Sequence, residues 1–434
     1  MIKSYFRIGW RNLVKNKSYS IINIFGLATG IACCLLISLY VIHELSYDRF
    51  HEKADRIVRA TMEMSHGGNV TRVAVTGTRV LPEFKREFPE VENGVRLFPA
   101  GAVVSHDDKL FREQGFVYAD SGFFDVFTFH LLQGNPRTAL SKPDQVVLTA
   151  SMARKYFGDE APLGKTLRIN NAQEFLITGI VEDCPANSQI KFDMLASWSS
   201  LTDPVYTTES WFDATHYTYL LLHKPEMFDA LATKVAAHFK ARDAENNSSA
   251  GNYLTIRLQP LTDVHLRAIV EGGLEPGSDY RYVYIFSIIA LFILAIASAN
   301  YINLTTARAS DRAKEVGLRK TVGAVRKQLI NQFMSESFVL AVVALIVGVL
   351  LAAAFMPVFS TVAGSQFTFS QLLRPEYLIA ISVVLLPVSF IGGFYPALVL
   401  SRFTPASVLK GNFKTGTSGI ELRKSLIVIQ PRNV

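Results

Sequence analysis

Cysteine is scarce in this sequence, which has three among its 434 residues. Cys33 and Cys34 are adjacent within an apolar run, and Cys184 stands alone, so we expect no framework of disulfides within the chain. Histidines at metal-binding spacing are also missing. The stretch "HELSY" at His43 has Tyr47 where a helical zinc motif requires a second histidine. We therefore expect no metal site.

Recognisable catalytic motifs are missing as well. The stretch "GDEAPLGKT" (158–166) resembles a phosphate-binding loop, but five residues separate Gly158 from Gly164 where the motif has four. The expected order is helix, turn and strand, which reverses the strand, loop and helix of such a loop. We therefore expect a turn here. We also expect that the chain is not an enzyme and binds no cofactor.

Acidic residues are absent from the first 43 residues, which carry five basic ones, and the charge is uneven throughout. Residues 282–434 carry 14 basic and 5 acidic residues, a net charge of +9. Since the first 43 residues contribute +5 and the whole chain has a net charge of +7, residues 44–281 must carry −7. The positive charge lies beside apolar runs, as it does in cytoplasmic loops of membrane proteins. This placement argues against a nucleic-acid partner.

Four long apolar runs are present, each close to the roughly 20 residues that a helix needs to cross the hydrocarbon layer. They are Ile21–Ile42, Tyr282–Ala299, Phe338–Phe355 and Tyr377–Leu400. None contains a charged side chain, which argues against buried helices of a soluble protein. The cations flanking the runs predict that both termini are cytoplasmic and that residues 45–280 are outside.

The first run is longer than the apolar region of a signal peptide, so we expect an uncleaved anchor. Residues 1–18 ahead of it place Phe6, Trp10 and Leu13 on one helical face. Basic side chains fall on another face, which predicts an amphipathic helix in the headgroup layer. A disordered basic tail is the alternative.

The segment outside the membrane is expected to fold as an α+β domain, because strand-like and helix-like patterns follow one another. The predicted strands are "RIVRATMEM", "VTRVAVTG", "TLRIN", "EFLITGIVED", "YTYLLLH" and "YLTIRLQPL". The predicted helices are "RVLPEFKREF", "TASMARKYFG" and "EMFDALATKVAAHFKA". In the second helix, Thr149 is the expected N-cap and Gly158 the expected C-terminal cap.

A charged stretch, "DRAKEVGLRKTVGAVRKQL" (311–329), lies between the second and third runs. As a helix, it would place Leu318, Val322, Val325 and Leu329 on one stripe, with cations around the other sides. Its two glycines would each cost about 1 kcal/mol against alanine in a helix interior. They therefore indicate either a close approach of another surface or a turn in the helix. An ordinary positively charged loop is the alternative.

The stretch "RAKEVGLRKTVGA" (312–324) closely resembles the signature of FtsX-like ABC-transporter permeases, and "ANYINLTTAR" and "QLINQFMSES" around it match as well. The N-terminal "RNLVKNKSYSIINIFGLATGIA" resembles the large permeases of Bacteroidota. Four further stretches resemble the MacB-type core domain of the same family: "FFDVFTFHLLQGNP", "VVLTASMARKYFG", "PLGKTLRI" and "ITGIVEDCPANSQIKFDML".

The resemblance implies a non-catalytic permease subunit of the mechanotransmission type in the cell inner membrane. A separate cytoplasmic ABC-type ATPase would bind ATP and move a periplasmic domain, for export or extraction of substrate. The residues that match the ATPase-coupling segment are Arg312, Glu315, Gly317, Arg319, Lys320, Gly323 and Ala324. Further partners would be membrane lipid, a second permease copy or half, and a periplasmic or outer-membrane protein.

The resulting fold class is an α-helical membrane protein with four transmembrane helices and an extracytoplasmic MacB-type α+β domain inserted between spans one and two. The expected parts are the amphipathic helix 1–18, span 19–44, core domain 45–280 and permease domain 281–404, followed by a cytoplasmic tail, 405–434. In the permease domain we expect spans near 282–304, 334–356 and 377–400, with a coupling loop at 305–332. In the first span, Gly26 and Gly30 are candidates for a helix–helix contact, although a groove facing lipid is the alternative.

The tail stretch "LRKSLIVIQ" resembles the start of a second half in the Bacteroidota relatives. We therefore expect an N-terminal half of a larger permease, and a non-functional truncated fragment is one alternative. Another is a membrane regulator that transmits ATPase motion to activate cell-wall hydrolases. A sensor without an ATPase is disfavoured, because the sequence offers no cytoplasmic signalling domain.

Overall fold

The structure is a computed structural model that describes residues 11, 13–15, 17–245, 252–267, 270, 272–307, 316, 318–375, 377 and 379. Two compact units are present. The helical unit combines Met1–Ile42 with Arg281–Val434, and the sheet unit is His43–Tyr280. The chain passes between the units at two places, after residue 42 and after residue 280.

The described helices and strands alternate in the sheet unit, whereas the helical unit contains long helices. The helices are α1 (Lys17–Leu45), α2 (Val80–Glu87), α3 (Phe123–Val126), α4 (Ala150–Phe157), α5 (Pro204–Thr207), α6 (Phe228–Glu245), α7 (Leu261–Val264), α8 (Tyr280–Ala307) and α9 (Arg326–Ala363). The strands are β1 (Ile57–His66), β2 (Asn69–Val73), β3 (Val91–Pro99), β4 (Ala102–His106), β5 (Lys109–Glu113), β6 (Phe116–Ala119), β7 (Leu131–Gly134), β8 (Gln145–Thr149), β9 (Thr166–Ile169), β10 (Gln173–Val181), β11 (Met194–Ser197), β12 (Tyr217–Leu222) and β13 (Tyr253–Pro260).

All thirteen strands belong to one mixed sheet in the order β13-β1-β12-β3-β6-β11-β8-β10-β9-β4-β5. Strand β2 pairs with β1, and β7 pairs with β10. The β8–β10 and β6–β11 pairs are parallel, and the other pairs are antiparallel. The α+β architecture expected for this segment is therefore confirmed.

The sheet is buried on both faces. Successive side chains of a strand point to opposite sides, and here neighbouring residues of one strand belong to different buried clusters. On β1, Ile57 joins one apolar cluster, and Val58 and Met62 join another. On β12, Tyr219 belongs to the same cluster as Ile57, and Leu220 belongs to the same cluster as Val58 and Met62. Strand β12 accordingly reads as a nearly continuous apolar run, whereas β1 also contains polar residues such as Arg59 and Glu63.

Helix α4 begins and ends where its sequence predicts. The Oγ1 of Thr149 accepts a hydrogen bond from the Met152 N–H at 3.4 Å, and Gly158 follows the helix with a φ of 62°. Strand β9 then begins at Thr166. The expectation of a turn followed by a strand is therefore confirmed.

Three described helices are long and apolar enough to cross a membrane: Lys17–Leu45, Tyr280–Thr305 and Arg326–Ala363. Leu27, Ile31, Leu35 and Leu39 recur every four residues on α1 and form one buried stripe. They share a cluster with side chains of α8 and α9. The fourth expected span, Tyr377–Leu400, lies outside the described residues except at 377 and 379.

A buried histidine predicts that the sheet unit loses stability in acid. The Nδ1 of His51 accepts a hydrogen bond from the Thr128 N–H at 3.1 Å, and its ring contacts Phe127 and Phe129. Burial lowers the pKa of His51 from its usual 6.5 to about 4. Between these two pKa values the unfolded chain binds a proton at His51 that the folded protein does not. The contribution of His51 to the free energy of unfolding is therefore fully present above pH 6.5 and is lost as the pH falls towards 4.

We expect His51 to contribute about 3 kcal/mol to the loss of unfolding free energy between pH 7 and pH 4. The variant His51→Gln keeps a hydrogen-bond acceptor but does not titrate. Denaturant unfolding of both proteins at the two pH values measures the difference. Because other titrating groups are unchanged, an equal loss in both proteins would contradict the assignment.

Candidate functional site

The structure describes four of the seven residues in the expected coupling segment. Arg319, Lys320, Gly323 and Ala324 are described, and Arg312, Glu315 and Gly317 lie outside the described residues. The described part is a turn that ends one helical stretch and leads into α9.

A helix through the whole charged stretch is wrong, because the chain turns between Val322 and Val325. Gly323 has a φ of 96°, which lies in the region that favours glycine. Its N–H donates to the Lys320 carbonyl at 3.1 Å, and the Ala324 N–H donates to the Arg319 carbonyl at 3.0 Å. Of the two roles that the glycines suggested, Gly323 therefore takes that of a turn.

Helix α9 starts immediately after the turn. The Val325 N–H donates to the Oε1 of Gln328 at 3.2 Å, so a side chain of the first helical turn satisfies one exposed backbone donor. Arg326 and Lys327, which follow Val325, are exposed on that first helical turn. The turn and the start of α9 are thus one hydrogen-bonded piece.

The inner side of the turn packs against α9. Val316 forms a buried apolar cluster with Leu329 and Phe333. Beside the cluster, the NH1 of Arg319 donates to the Oε1 of Gln332 at 2.7 Å, and the Nε2 of Gln332 donates to the Oε1 of Glu336 at 3.0 Å. Arg319 therefore points towards α9.

The outer side carries three exposed apolar side chains, which we call the apolar triad. Leu318, Val322 and Val325 are 71%, 84% and 57% exposed. The expected four-residue stripe is therefore divided, because Leu329 is buried on the other side of the turn. No acidic residue occurs between 316 and 332, whereas Lys320, Arg326 and Lys327 lie around the triad in sequence.

Within the helical unit, small residues allow close approach of the long helices. A Cβ built on Gly30 would lie 2.8 Å from the Ala297 Cβ of α8, whereas one on Gly26 would lie 3.5 Å from the Asn300 Nδ2. On α9, a Cβ on Gly348 would lie 2.9 Å from the Ile31 Cγ2. Gly30 and Gly348 therefore occupy positions with no room for a larger side chain.

Sequence reasoning missed Gly348 and the polar side chains Gln332 and Glu336. Gln332 and Glu336 are buried, although both types are usually exposed. Their spacing of four residues at the start of an apolar helix was the signal that could have revealed them. Among the described residues, no group of three or more histidine, cysteine or acidic side chains is placed to hold a metal ion.

Comparison with known families finds two matches along the chain. The family described as "MacB-like periplasmic core domain" matches residues 20–238, and the one described as "FtsX-like permease C-terminal" matches residues 287–405. The first match alone covers half of the chain and includes most of the sheet unit. The second includes α9 and the turn that precedes it.

Individual relatives agree with these matches. The chain is 25% identical over 274 residues to the macrolide export ATP-binding/permease protein MacB of Bdellovibrio bacteriovorus, covering 61% of this chain and 38% of that protein. It is 22% identical over 423 residues to the MacB of Hahella chejuensis, covering 93% of this chain and 59% of that protein. The chain thus spans less than two thirds of these relatives.

A crystal structure of a domain of a putative permease protein from Porphyromonas gingivalis is 25% identical, with a TM-score of 0.43. The match covers 48% of this chain and 91% of that domain. The first family match covers most of α1 and most of the sheet unit, and the second covers most of α8 and all of α9, so the two together extend over most of the described protein. The chain belongs to the family of FtsX-like ABC-transporter permeases that carry a MacB-like periplasmic core domain.

Proposed function

We propose that this chain is the permease subunit of an ABC transporter of the mechanotransmission type, working with a separate cytoplasmic ATPase. The observation that carries the proposal is the apolar triad, exposed on a turn between two long apolar helices. The ATPase would bind the triad, and its motion would reach the core domain through the helices. The expected work is export or extraction of a substrate from the extracytoplasmic side.

The turn has the chemistry of a protein-binding surface. Exposed apolar side chains are stabilised when a partner covers them, and each well-buried one contributes about 1.5–3 kcal/mol. Lys320, Arg326 and Lys327 give the surroundings a positive charge, so the complementary surface on the ATPase is an apolar groove with an acidic rim. The cations would also keep this turn on the cytoplasmic side.

Transmission of motion needs stiff connections, and the long helices supply them. Helix α9 has 38 residues, which corresponds to about 57 Å at 1.5 Å per residue. Helix α8, with 28 residues, corresponds to about 42 Å. The chain enters the sheet unit at the end of α1 and leaves it at the start of α8. In this proposal α1 and α8 therefore carry the motion to the sheet unit.

Arg319 has a different role in this proposal from the residues of the triad. Its hydrogen bond to Gln332, and the bond from Gln332 to Glu336, join the turn to α9. A displacement of the turn by the ATPase would therefore displace the first part of α9 with it. Arg319 acts as a positioning residue, while the triad makes the contact.

The family also implies that the ATPase works as a dimer, so two such turns are required. We propose that a second permease copy, or a separate second half, supplies the other turn. Such closed assemblies are commonly two-fold symmetric.

The experiment is co-purification from native membranes. The tagged full-length chain is solubilised and captured, and bound proteins are identified by mass spectrometry. We expect an ABC-type ATPase to be enriched with the chain. Recovery of that ATPase at the level obtained with an unrelated tagged membrane protein would contradict the proposal.

A further inference from the structure

A polar cavity lies on the sheet unit, at a distance in sequence from the coupling segment. Its walls come from helix α2, from β3, from the segment that joins β6 to α3 together with α3 itself, and from the segment that joins β7 to β8. The cavity has a volume of about 570 Å³, within the range of roughly 300–1,000 Å³ found for small-molecule sites. No role in ATPase coupling explains it.

The floor of the cavity is an ion pair held in place from several sides. The Nε and NH2 of Arg96 donate to the two carboxylate oxygens of Asp120 at 2.9 and 2.8 Å. Asp120 also accepts the backbone N–H of Arg96 at 2.8 Å. The guanidinium lies 4.2 Å from the centroid of the Trp198 ring. The charged floor is thus ordered without a ligand, which reduces the entropy lost on binding.

The walls carry charges that the protein leaves largely unused. Lys85 makes one hydrogen bond, from its Nζ to the Oδ1 of Asn93 at 3.1 Å, although an ammonium can donate three. Within the described residues, the Arg137 guanidinium and the Asp125 carboxylate make no hydrogen bond or ion pair. With the Arg96–Asp120 pair neutralised internally, two cations face one carboxylate, so the cavity favours an anion.

We propose that this cavity binds a small anion, a soluble molecule that carries a carboxylate or phosphate group, through Lys85 and Arg137. The guanidinium of Arg137 can bind either group with two parallel hydrogen bonds, and the Lys85 ammonium adds a second cation. Arg96 is already paired with Asp120, so the net positive charge of the cavity comes from Lys85 and Arg137. The Asp125 carboxylate also lines the cavity and repels a bound anion, so it weakens the binding.

The test is isothermal titration calorimetry of the full chain in lipid nanodiscs. Succinate and glycerol 3-phosphate are the anionic probes, and they distinguish the carboxylate from the phosphate source. Glycerol is the neutral control. We expect saturable binding of at least one anionic probe and none of glycerol. We expect Arg137→Ala and Lys85→Ala each to weaken binding about fivefold.

Two further variants make the result specific. Asp125→Asn removes a like charge and is expected to tighten binding of the same probe. Arg154→Ala removes an exposed cation from α4, outside the cavity, and is expected to leave the affinity unchanged. Thermal unfolding of each variant verifies that the protein is folded.

The proposal is overturned if neither anionic probe shows saturable binding to the folded wild-type chain. It is also overturned if Arg137→Ala binds as tightly as Arg154→Ala. Capture of the ATPase by Arg137→Ala should equal that of the wild type, so this inference and the coupling proposal succeed or fail separately.

Discussion

Replacing the apolar triad by glutamate, as Leu318→Glu, Val322→Glu and Val325→Glu together, is expected to abolish capture of the ATPase. The three side chains are more than half exposed, so their contact energy is available to a partner. Loss of their burial would cost about 4 kcal/mol or more, which weakens binding by roughly a thousandfold or more. The introduced carboxylates would also face the acidic rim proposed for the partner.

Because the triad is exposed, the triple variant leaves no cavity in the folded chain. Size-exclusion chromatography should therefore give the same profile as for the wild type. A matched control is Val205→Glu with Phe212→Glu, which changes two exposed apolar side chains of the sheet unit. This control is expected to capture the ATPase normally. Normal capture by the triple variant would mean that the partner binds elsewhere.

Gly348→Ala is expected to destabilise the helical unit by about 1–3 kcal/mol, the usual cost of an overpacked position. The new Cβ would lie 3.0 Å from the carbonyl oxygen of Ala28 and 2.9 Å from the Ile31 Cγ2. A backbone oxygen cannot move unless helix α1 moves with it. The loss should therefore exceed the gain of about 1 kcal/mol from replacing glycine in a helix.

Gly26→Ala is the matched control, since a Cβ there meets the Asn300 Nδ2 at an ordinary contact distance of 3.5 Å. It gains the same helix propensity without the clash and is expected to be neutral or stabilising. Thermal unfolding of the detergent-solubilised chains compares the two variants with the wild type. If Gly348→Ala were as stable as Gly26→Ala, the close packing around Gly348 would not contribute to the stability of the helical unit.

Local patterns in the sequence predict much of the sheet unit. The strands β1, β10, β12 and β13 were recognisable because their apolar and β-branched residues are dense and their ends are marked by turn residues. Helix α4 was recognisable from its cap residues. These features depend on residues close together in the chain, so no knowledge of the tertiary structure was required.

Strand β3 was not predicted, because its local sequence pattern is weak. β3 contains glycine and charged residues in "VENGVRLFP", and it is a strand because it pairs with β12 and β6. Its Gly94 leaves room for the Leu81 side chain, since a Cβ there would lie 2.3 Å from the Leu81 Cδ1. Pairing and close packing between distant segments cannot be read from local periodicity.

At the candidate site, the sequence predicts the charges and the apolar residues but not their arrangement. A helical stripe placed Leu329 with the apolar triad, whereas the turn at Gly323 puts Leu329 in the buried cluster with Val316. A glycine in a helical pattern is compatible with a straight helix or a turn, and packing decides between them. The link from Arg319 to Gln332 depends on that turn and was therefore not predicted.

The central claim is that the turn is inside the cell and the sheet unit is outside. It is tested most directly by labelling single cysteines, Val322→Cys or Val205→Cys, in a chain that also carries Cys33→Ala, Cys34→Ala and Cys184→Ala. A membrane-impermeant maleimide is added to intact and to lysed spheroplasts. We predict that position 205 is labelled in intact spheroplasts and that position 322 is labelled after lysis alone. Labelling of position 322 in intact spheroplasts would place the triad out of reach of any cytoplasmic ATPase and contradict the account.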